Sequence, residues 1–282
     1  MGLTRIGLVA LALAGAVGYS LDLTATRAET ARAVFVSATD AKGAPVTDLT
    51  AADLAVKEGG QERAIKALSL ASAPLEIAML VDDAGTGLFQ TGTLQVIQAF
   101  GDTALYSIRR FTPQSVKILD YTNDVAPIQA ALNLIGGRGK IPGDGEQLLD
   151  AMSDTIKELQ KRAAARRVMI VMTAQGEGQP KNPTVVRDEL AGSGVIMHVV
   201  HTSGAAVGLL TGDGPRQSGG RIEQVGAASG VPAALTKILD TVKHQYLLVY
   251  VLPDGVKPAE RVSVSTTRKG VTLLAPQRIA VK

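Results

Sequence analysis

The sequence predicts an α/β protein: a doubly wound, mostly parallel sheet with helices on both faces, joined to a small β-sandwich formed by strands from the N- and C-terminal parts of the chain. Three observations predict it. Between residues 75 and 252, short apolar runs such as "LEIAMLV", "VMIVM" and "VIMHVV" alternate with segments of helical periodicity, the pattern of βαβ units whose strands are covered on both faces. Residues 33–70 and those beyond Pro253 show short strands and turn signals without a long helical pattern. Of 282 residues, 46% are hydrophobic and 20% charged, which supports a sizeable core and argues against global disorder.

The N-terminal "MGLTRIGLVALALAGAVGYS" has a basic start at Arg5 and an apolar stretch from Ile6 to Val17. Small residues follow at cleavage spacing, Ala16-Val17-Gly18, and "TATRA", ending at Ala28, offers a second cut. This reads as a secretory signal over residues 1–28. The stretch is short of the roughly 20 apolar residues of a membrane span, so an uncleaved anchor is the runner-up. The chain has no Cys, which excludes disulfides, thiolate catalysis and Cys-based zinc sites. Export without Cys suits a periplasm or cell surface.

Residues 29–73 read as an N-terminal β segment. Ala33–Thr39 is a strand ending in the turn "DAKGAPV", and Leu54–Lys57 and Arg63–Leu70 are strands around the hairpin turn "EGGQE". Residues 74–252 read as the α/β domain, with strands at Leu75–Val81, Ser115–Asp120, Arg167–Thr173, Val195–His201 and Gln245–Leu252. One helical stripe runs through Leu94, Ile97, Gly101, Leu105 and Ile108. Another runs through Leu148, Leu149, Met152, Ile156 and Leu159. Asn182-Pro183 caps a helix that Gly192 stops, and Leu235, Ile238, Leu239 and Val242 mark the last helix. The Gly-rich stretch Gly204–Gly220 reads as a long loop, a plain insertion rather than a lid. Residues 253–282 return to β character, with "RVSVSTT" and "VTLLAPQRIAV" around "RKG". They join residues 29–73, because an isolated hairpin is marginal in water.

Composition narrows the function classes. Aromatics are 3% with no Trp, against stacking platforms for single-stranded nucleic acid or sugars. A formal charge of +3 predicts no polyanionic partner. "KRAAARR" (Lys161–Arg167) closes a helical pattern, where cations complement the dipole. His198 and His201, inside the buried run "GVIMHVVHTS", read as satisfied core groups. "GGRGK" (Gly136–Lys140) lacks the spacing of a phosphate loop, and Gly-x-Ser-x-Gly is absent.

The remaining signal is "VDDAGTG" (Val81–Gly87), an acidic pair on a small-residue turn at the end of a buried strand, where open α/β sheets bind ligands. With it, "PLEIAMLVDDAGTG", "GDGEQLLDAM", "RRVMIVMTAQGEG", "QYLLVYVLPDG" and the opening "VSATDAKGAPVTDLTAADLAVKEGGQERAI" follow in an order and spacing that resemble the von Willebrand factor type A (vWA) domain, a Rossmann-like fold. More narrowly, they resemble exported bacterial vWA-related proteins, many of them from Acidobacteria. The resemblance covers roughly Ala33 to Ala280.

The family holds Mg²⁺ or Mn²⁺ with an Asp-x-Ser-x-Ser turn plus a Thr and an Asp from two further loops, oxygen donors of the kind hard cations take. Matched position by position, Asp82 supplies the first carboxylate, Ala84 replaces the first Ser and Thr86 stands at the second hydroxyl. Glu146 stands at the Thr, and Ala174 replaces the last Asp. The resemblance therefore implies a degenerate metal-ion-dependent adhesion site, with Asp82, Thr86 and Glu146 as a conceivable rearranged ligand set for Mg²⁺. Asp144 has an ordinary alternative as a helix N-cap paired with Gln147, and Asp83 is expected to face solvent. The function implied is a non-enzymatic, metal-independent protein-interaction module outside the cytoplasm, with no nucleic-acid partner. Membrane contact would come only through the N-terminal segment. Its partner surface would include Asp82, Asp83, Thr86, Asp144, Glu146 and Gln175, on the loops 82–88, 142–146, 174–180 and 204–220. A metal-dependent binder and an exported enzyme of unrecognised type are the alternatives.

Overall fold

Every residue of Leu75–Val81 is buried, and this strand is the spine of the molecule. Leu75, Ile77, Met79 and Val81 pack into one apolar cluster and Ala78 and Leu80 into another on the opposite face. Both faces are covered, so the run is continuously apolar rather than alternating.

The computed structural model describes residues 29–136, 147–177, 181–202 and 206–281. In chain order the elements are β1 (Thr30–Thr39), β2 (Leu54–Glu58), β3 (Gln61–Arg63), β4 (Ile65–Leu70), β5 (Leu75–Val81), α1 (Gln90–Phe100), β6 (Ala104–Arg110), β7 (Val116–Thr122) and α2 (Val125–Asn133). Then come α3 (Leu148–Lys161), β8 (Arg166–Thr173), α4 (Pro183–Leu190), β9 (Val195–Thr202), α5 (Leu209–Ser218), β10 (Ile222–Val225), α6 (Val231–Lys243), β11 (Tyr246–Leu252), β12 (Val262–Thr266) and β13 (Thr272–Leu274). Among the described residues no helix is long and apolar enough to cross a membrane. The N-terminal segment 1–28 lies outside the described residues.

The main sheet has the order β10-β9-β8-β5-β6-β7 and is parallel except for β7, which runs antiparallel to β6. The chain leaves β5 toward β6 and β7, then returns to build β8, β9 and β10 on the other side. The order therefore reverses between β5 and β8, and an open α/β sheet leaves a crevice at such a point, beyond the carboxyl ends of the strands. Helices α1, α2 and α6 supply Val96, Ile128, Leu132, Leu235 and Ile238 to one face. Helices α3, α4 and α5 supply Met152, Ile156, Val186, Leu190 and Leu210 to the other.

Three expectations need correction. The helical stripe from Leu94 to Ile108 is two elements: α1 stops at Phe100 and β6 begins at Ala104. The break is Gly101, whose φ of 55° closes the helix, a value costly for any side chain. Leu105 and Ile108 keep a helix-compatible spacing by coincidence. The stretch 204–220 is not a long loop, because 209–218 form α5; its Gly content reflects tight packing, since a Cβ on Gly214 would come within about 3 Å of Leu210 and Met197 side chains. The third concerns Tyr246–Leu252, which does not join the parallel sheet. It pairs antiparallel with β1 on one side and β4 on the other. Its apolar run could serve either sheet, and hydrogen-bond partners distant in sequence decided between them. Helix α2 and strand β10 were not anticipated.

The antiparallel part consists of a four-stranded sheet, β13-β1-β11-β4, and a three-stranded sheet, β12-β2-β3. They share an apolar cluster of Val34, Val36, Val56, Leu248, Leu252 and Val262, so strands from both parts of the chain do close one sandwich. Glu58 is fully buried within it. Tyr250 donates its hydroxyl hydrogen to Glu58 Oε2, the Ala259 N–H donates to Oε1 at 2.6 Å, and Arg32 Nε lies 3.3 Å from Oε2. Burial, with this anion beside it, pushes the Tyr250 hydroxyl pKa well above its ordinary value. A charge taken out of water persists only when so fully partnered.

The sandwich meets the α/β part at Arg166, also buried. Its guanidinium donates to the carbonyls of Val242 at 2.6 Å and Ala71 at 3.3 Å and to Gln245 Oε1 at 3.2 Å. Val242 lies in the last turn of α6, where the dipole favours a cation.

Two measurements test these polar cores. Glu58→Ala strands Arg32, the Tyr250 hydroxyl and the Ala259 N–H; urea unfolding should show a loss of about 3–5 kcal/mol, the range for breaking a buried ion pair on one side. His198, on β9, is wholly buried; Nδ1 accepts the Arg221 N–H at 3.2 Å, and among the described residues Nε2 has no partner. The sequence expectation of a satisfied core histidine is thus half met. Burial, with Arg221 nearby, pushes its pKa down from 6.5 to about 3. The folded chain then refuses a proton that the unfolded chain accepts. The associated stability is complete above the unfolded value and drains away as pH falls from there toward the folded value, by up to about 1.4 kcal/mol per pH unit. The expected outcome is a smaller fall in melting temperature for His198→Gln than for the wild type between about pH 7 and pH 5.

Candidate functional site

The crevice at the crest is closed by a single carboxylate. Asp82 follows β5, is 4% exposed, and is fixed by its own N–H, which donates to Met172 O of β8 at 2.9 Å. Oδ1 accepts from Thr112 Oγ1 at 2.8 Å and from Gln175 Nε2 at 2.9 Å. Oδ2 accepts the Ala174 N–H at 3.0 Å. Three loops, those after β5, β6 and β8, therefore meet on one side chain. Gln175 is aimed by a local turn in which its N–H donates to Thr173 Oγ1 at 3.0 Å.

Asp83 does not face solvent, a further correction: it is 2% exposed and has partners other than those of Asp82. Its Oδ2 pairs with Arg110 Nη1 at 3.1 Å, and the Gly85 N–H approaches Oδ1 at 3.4 Å. Arg110 Nη1 also donates to Leu134 O at 3.2 Å, which ties the first loop to the end of α2. Two adjacent carboxylates would repel if they shared a solvent-free space; one goes to neutral donors and the other to a guanidinium.

Thr86 is exposed, and its Oγ1 accepts the Leu88 N–H at 3.3 Å within its own turn. Asp144 and Glu146 lie outside the described residues, as do 137–140 of "GGRGK" and 178–180 of the third loop. Gln147 sits at the N-cap of α3, but its Oε1 accepts the Ser115 N–H at 3.1 Å. The structure thus brings Asp82 and Gln175 together and leaves Thr86 apart. It adds Thr112 and Arg110, both near the end of β6. The sequence reading absorbed that strand into a helix, so it could not place them.

Beyond β8 the same loop caps a helix. Glu177 Oε1 accepts the Thr211 N–H at 2.5 Å and the Thr211 hydroxyl at 3.0 Å, satisfying the N-terminus of α5 with a negative charge where the dipole welcomes it. Gly208 makes room for this, since a Cβ there would fall 2.2 Å from Glu177 Cδ. The Nε2 of His201, buried near the end of β9, has no partner among the described residues.

The family that the sequence resembles holds a divalent ion at the corresponding loops, and the described residues do not fit one. An octahedral cation needs several oxygen donors converging on one point. Ala84 and Ala174 present methyl groups, and Thr86 is engaged elsewhere. Asp82 already accepts from three donors, one of them the Gln175 amide, whose hydrogens would repel a cation. Among the described residues no three His, Asp or Glu side chains gather.

No protein family matches the sequence, and no curated protein does. Solved structures do. The chain is similar to a von Willebrand factor type A structure from Catenulispora acidiphila, at 11% identity and a TM-score of 0.51, over 91% of this chain and 75% of that one. It is also similar to proximal thread matrix protein 1 from the mussel byssus, at 12% identity and a TM-score of 0.50, over 71% of this chain and 51% of that one. The chain spans about half the length of the byssus protein. At these identities the likeness establishes the fold: the chain has the vWA fold.

The crest knot has a direct test. Asp82→Ala leaves the Thr112 hydroxyl, the Ala174 N–H and the Gln175 amide without their acceptor, and chemical denaturation should show a loss of about 1–3 kcal/mol or more. A stability within error of the wild type would mean that the three loops do not depend on this carboxylate.

Proposed function

We propose that the chain is a non-enzymatic protein-interaction module that works outside the cytoplasm and whose crest binds its partner without a metal ion. The observation that carries this reading is the Asp82 carboxylate: protein donors at 2.8, 2.9 and 3.0 Å occupy the directions along which a cation would be ligated. The vWA fold supports an interaction role, and the export-type segment at residues 1–28 supports the location, in a periplasm or beyond the cell. The narrower kinship with exported Acidobacteria-type vWA proteins belongs to the same proposal. So does the partner surface on the loops after β5 and β8, with the buried Asp82 and Asp83 and the half-buried Gln175 as its supports and Thr86 as an exposed contact. In this reading Asp82 and Asp83 act by shaping the loops rather than by touching the partner, and binding proceeds through shape and neutral hydrogen bonds.

A metal-dependent reading around Asp82, Thr86 and Glu146 would require Thr86 to leave its turn and Gln175 to leave Asp82. Thermal unfolding separates the two. A ligand that binds only the folded state stabilises it by about 2.7 kcal/mol at a hundred times its dissociation constant. The expected result is an unchanged melting temperature in millimolar Mg²⁺ or Mn²⁺ for both the wild type and Thr86→Ala. A metal-induced rise in the wild type that Thr86→Ala abolishes would replace this proposal with the metal-dependent one.

A further inference from the structure

At the end of the α/β part opposite the crest, where it meets the sandwich, lies a cavity of about 130 Å³. Phe35 of β1, Leu190 and Ala191 at the end of α4, Ile196 of β9 and Ile279 of the last segment give it apolar walls. An apolar cavity of about this size, near 150 Å³, is known to accept benzene. Its mouth is basic. Arg187 and Arg278 line the cavity and line, together with Arg261, an adjoining cleft of about 290 Å³.

Two of the arginines, Arg261 and Arg278, are solvent-exposed. Arg261 and Arg278 stand opposite one another in an antiparallel bridge, where like charges repel at close range. Among the described residues neither guanidinium has an ion-pair partner or a side-chain hydrogen bond. The carboxylate lining the cleft is Asp188, held 3.4 Å from Arg187, which leaves an excess of positive charge beside an apolar chamber.

We propose that this seam binds a small amphipathic oxyanion: a carboxylate or a phosphate ester carrying one apolar group of about ring size. The apolar group fills the chamber against Phe35, Leu190 and Ile196. The head lies between Arg187 and Arg278, whose planar forks match the oxygens of either anion, with Arg261 adding charge. This site is separate from the crest and does not depend on how the crest works.

The test is titration calorimetry and thermal unfolding of the full chain with phenylacetate and with phenyl phosphate, against acetate and benzyl alcohol as the separate halves. One complete probe should raise the melting temperature and bind at least about tenfold more tightly than either half; the probe that wins identifies the head. The double variant Arg187→Gln/Arg278→Gln should weaken that binding by about tenfold or more, and Ala191→Leu, which intrudes on the chamber, should remove the advantage of the aryl group. The proposal is overturned if neither complete probe shifts the melting curve at millimolar concentration. Undiminished binding by the double variant, or by Ala191→Leu, overturns it equally.

Discussion

The crest depends on one carboxylate accepting hydrogen bonds from loops that would otherwise have nothing in common. Parallel strands send their C-terminal loops to the same edge, and a reversal of strand order leaves a gap between them. In this chain the gap lies between β5 and β8, and Asp82 spans it to Ala174 and Gln175 while holding Thr112 of the loop after β6. A buried anion left unpaired would cost more than the fold could spare. Satisfied by three donors in a low-dielectric setting, it becomes a strong and directional fastening. The proposal of a metal-independent crest rests on this substitution of protein donors for an ion.

The other fastenings follow the same rule. Glu58 and Arg166 are buried charges, one in the sandwich and one where the sandwich meets the main sheet, and each is enclosed by partners of the opposite polarity. Arg166 is matched by carbonyls rather than by an acid, one of them at the C-terminal end of α6, so helix geometry stands in for a counter-ion. Because β11 runs between β1 and β4, the chain passes directly from α6 into the sandwich, and the two parts share an apolar and arginine-lined seam. The crest and the seam thus sit at opposite ends of the same parallel strands: the first is closed by internal hydrogen bonds and the second is open and positively charged.

The strands buried on both faces were legible because nothing but a continuous apolar run suits that position. Leu75–Val81, Arg166–Thr173 and Val195–Thr202 were each placed to within a residue. Asp82 stood out in the sequence as a carboxylate directly after such a strand, and the structure shows it accepting hydrogen bonds from the loops after β6 and β8. The reading failed where local pattern was ambiguous. Leu105 and Ile108 satisfy a helical spacing and a strand alike, and losing β6 to a helix also hid Arg110 and Thr112 at its end. Gly-rich 204–220 looked like a loop because close packing of α5 against β9 uses the same small residues as flexibility does.

Composition and periodicity alone determined that this chain is α/β and that its strands are covered on both faces; that Ala84 and Ala174 stand where oxygen donors would is what the resemblance to the vWA domain implies. These are properties of single positions and short repeats, which a linear sequence carries in full. Only the tertiary structure decided which sheet Tyr246–Leu252 joins, that Asp82 and Asp83 part toward different partners, and that Arg187, Arg261 and Arg278 line one cleft beside an apolar chamber. Each of those outcomes depends on groups tens to hundreds of residues apart meeting within hydrogen-bonding or contact range, and no local pattern encodes which distant partner will arrive.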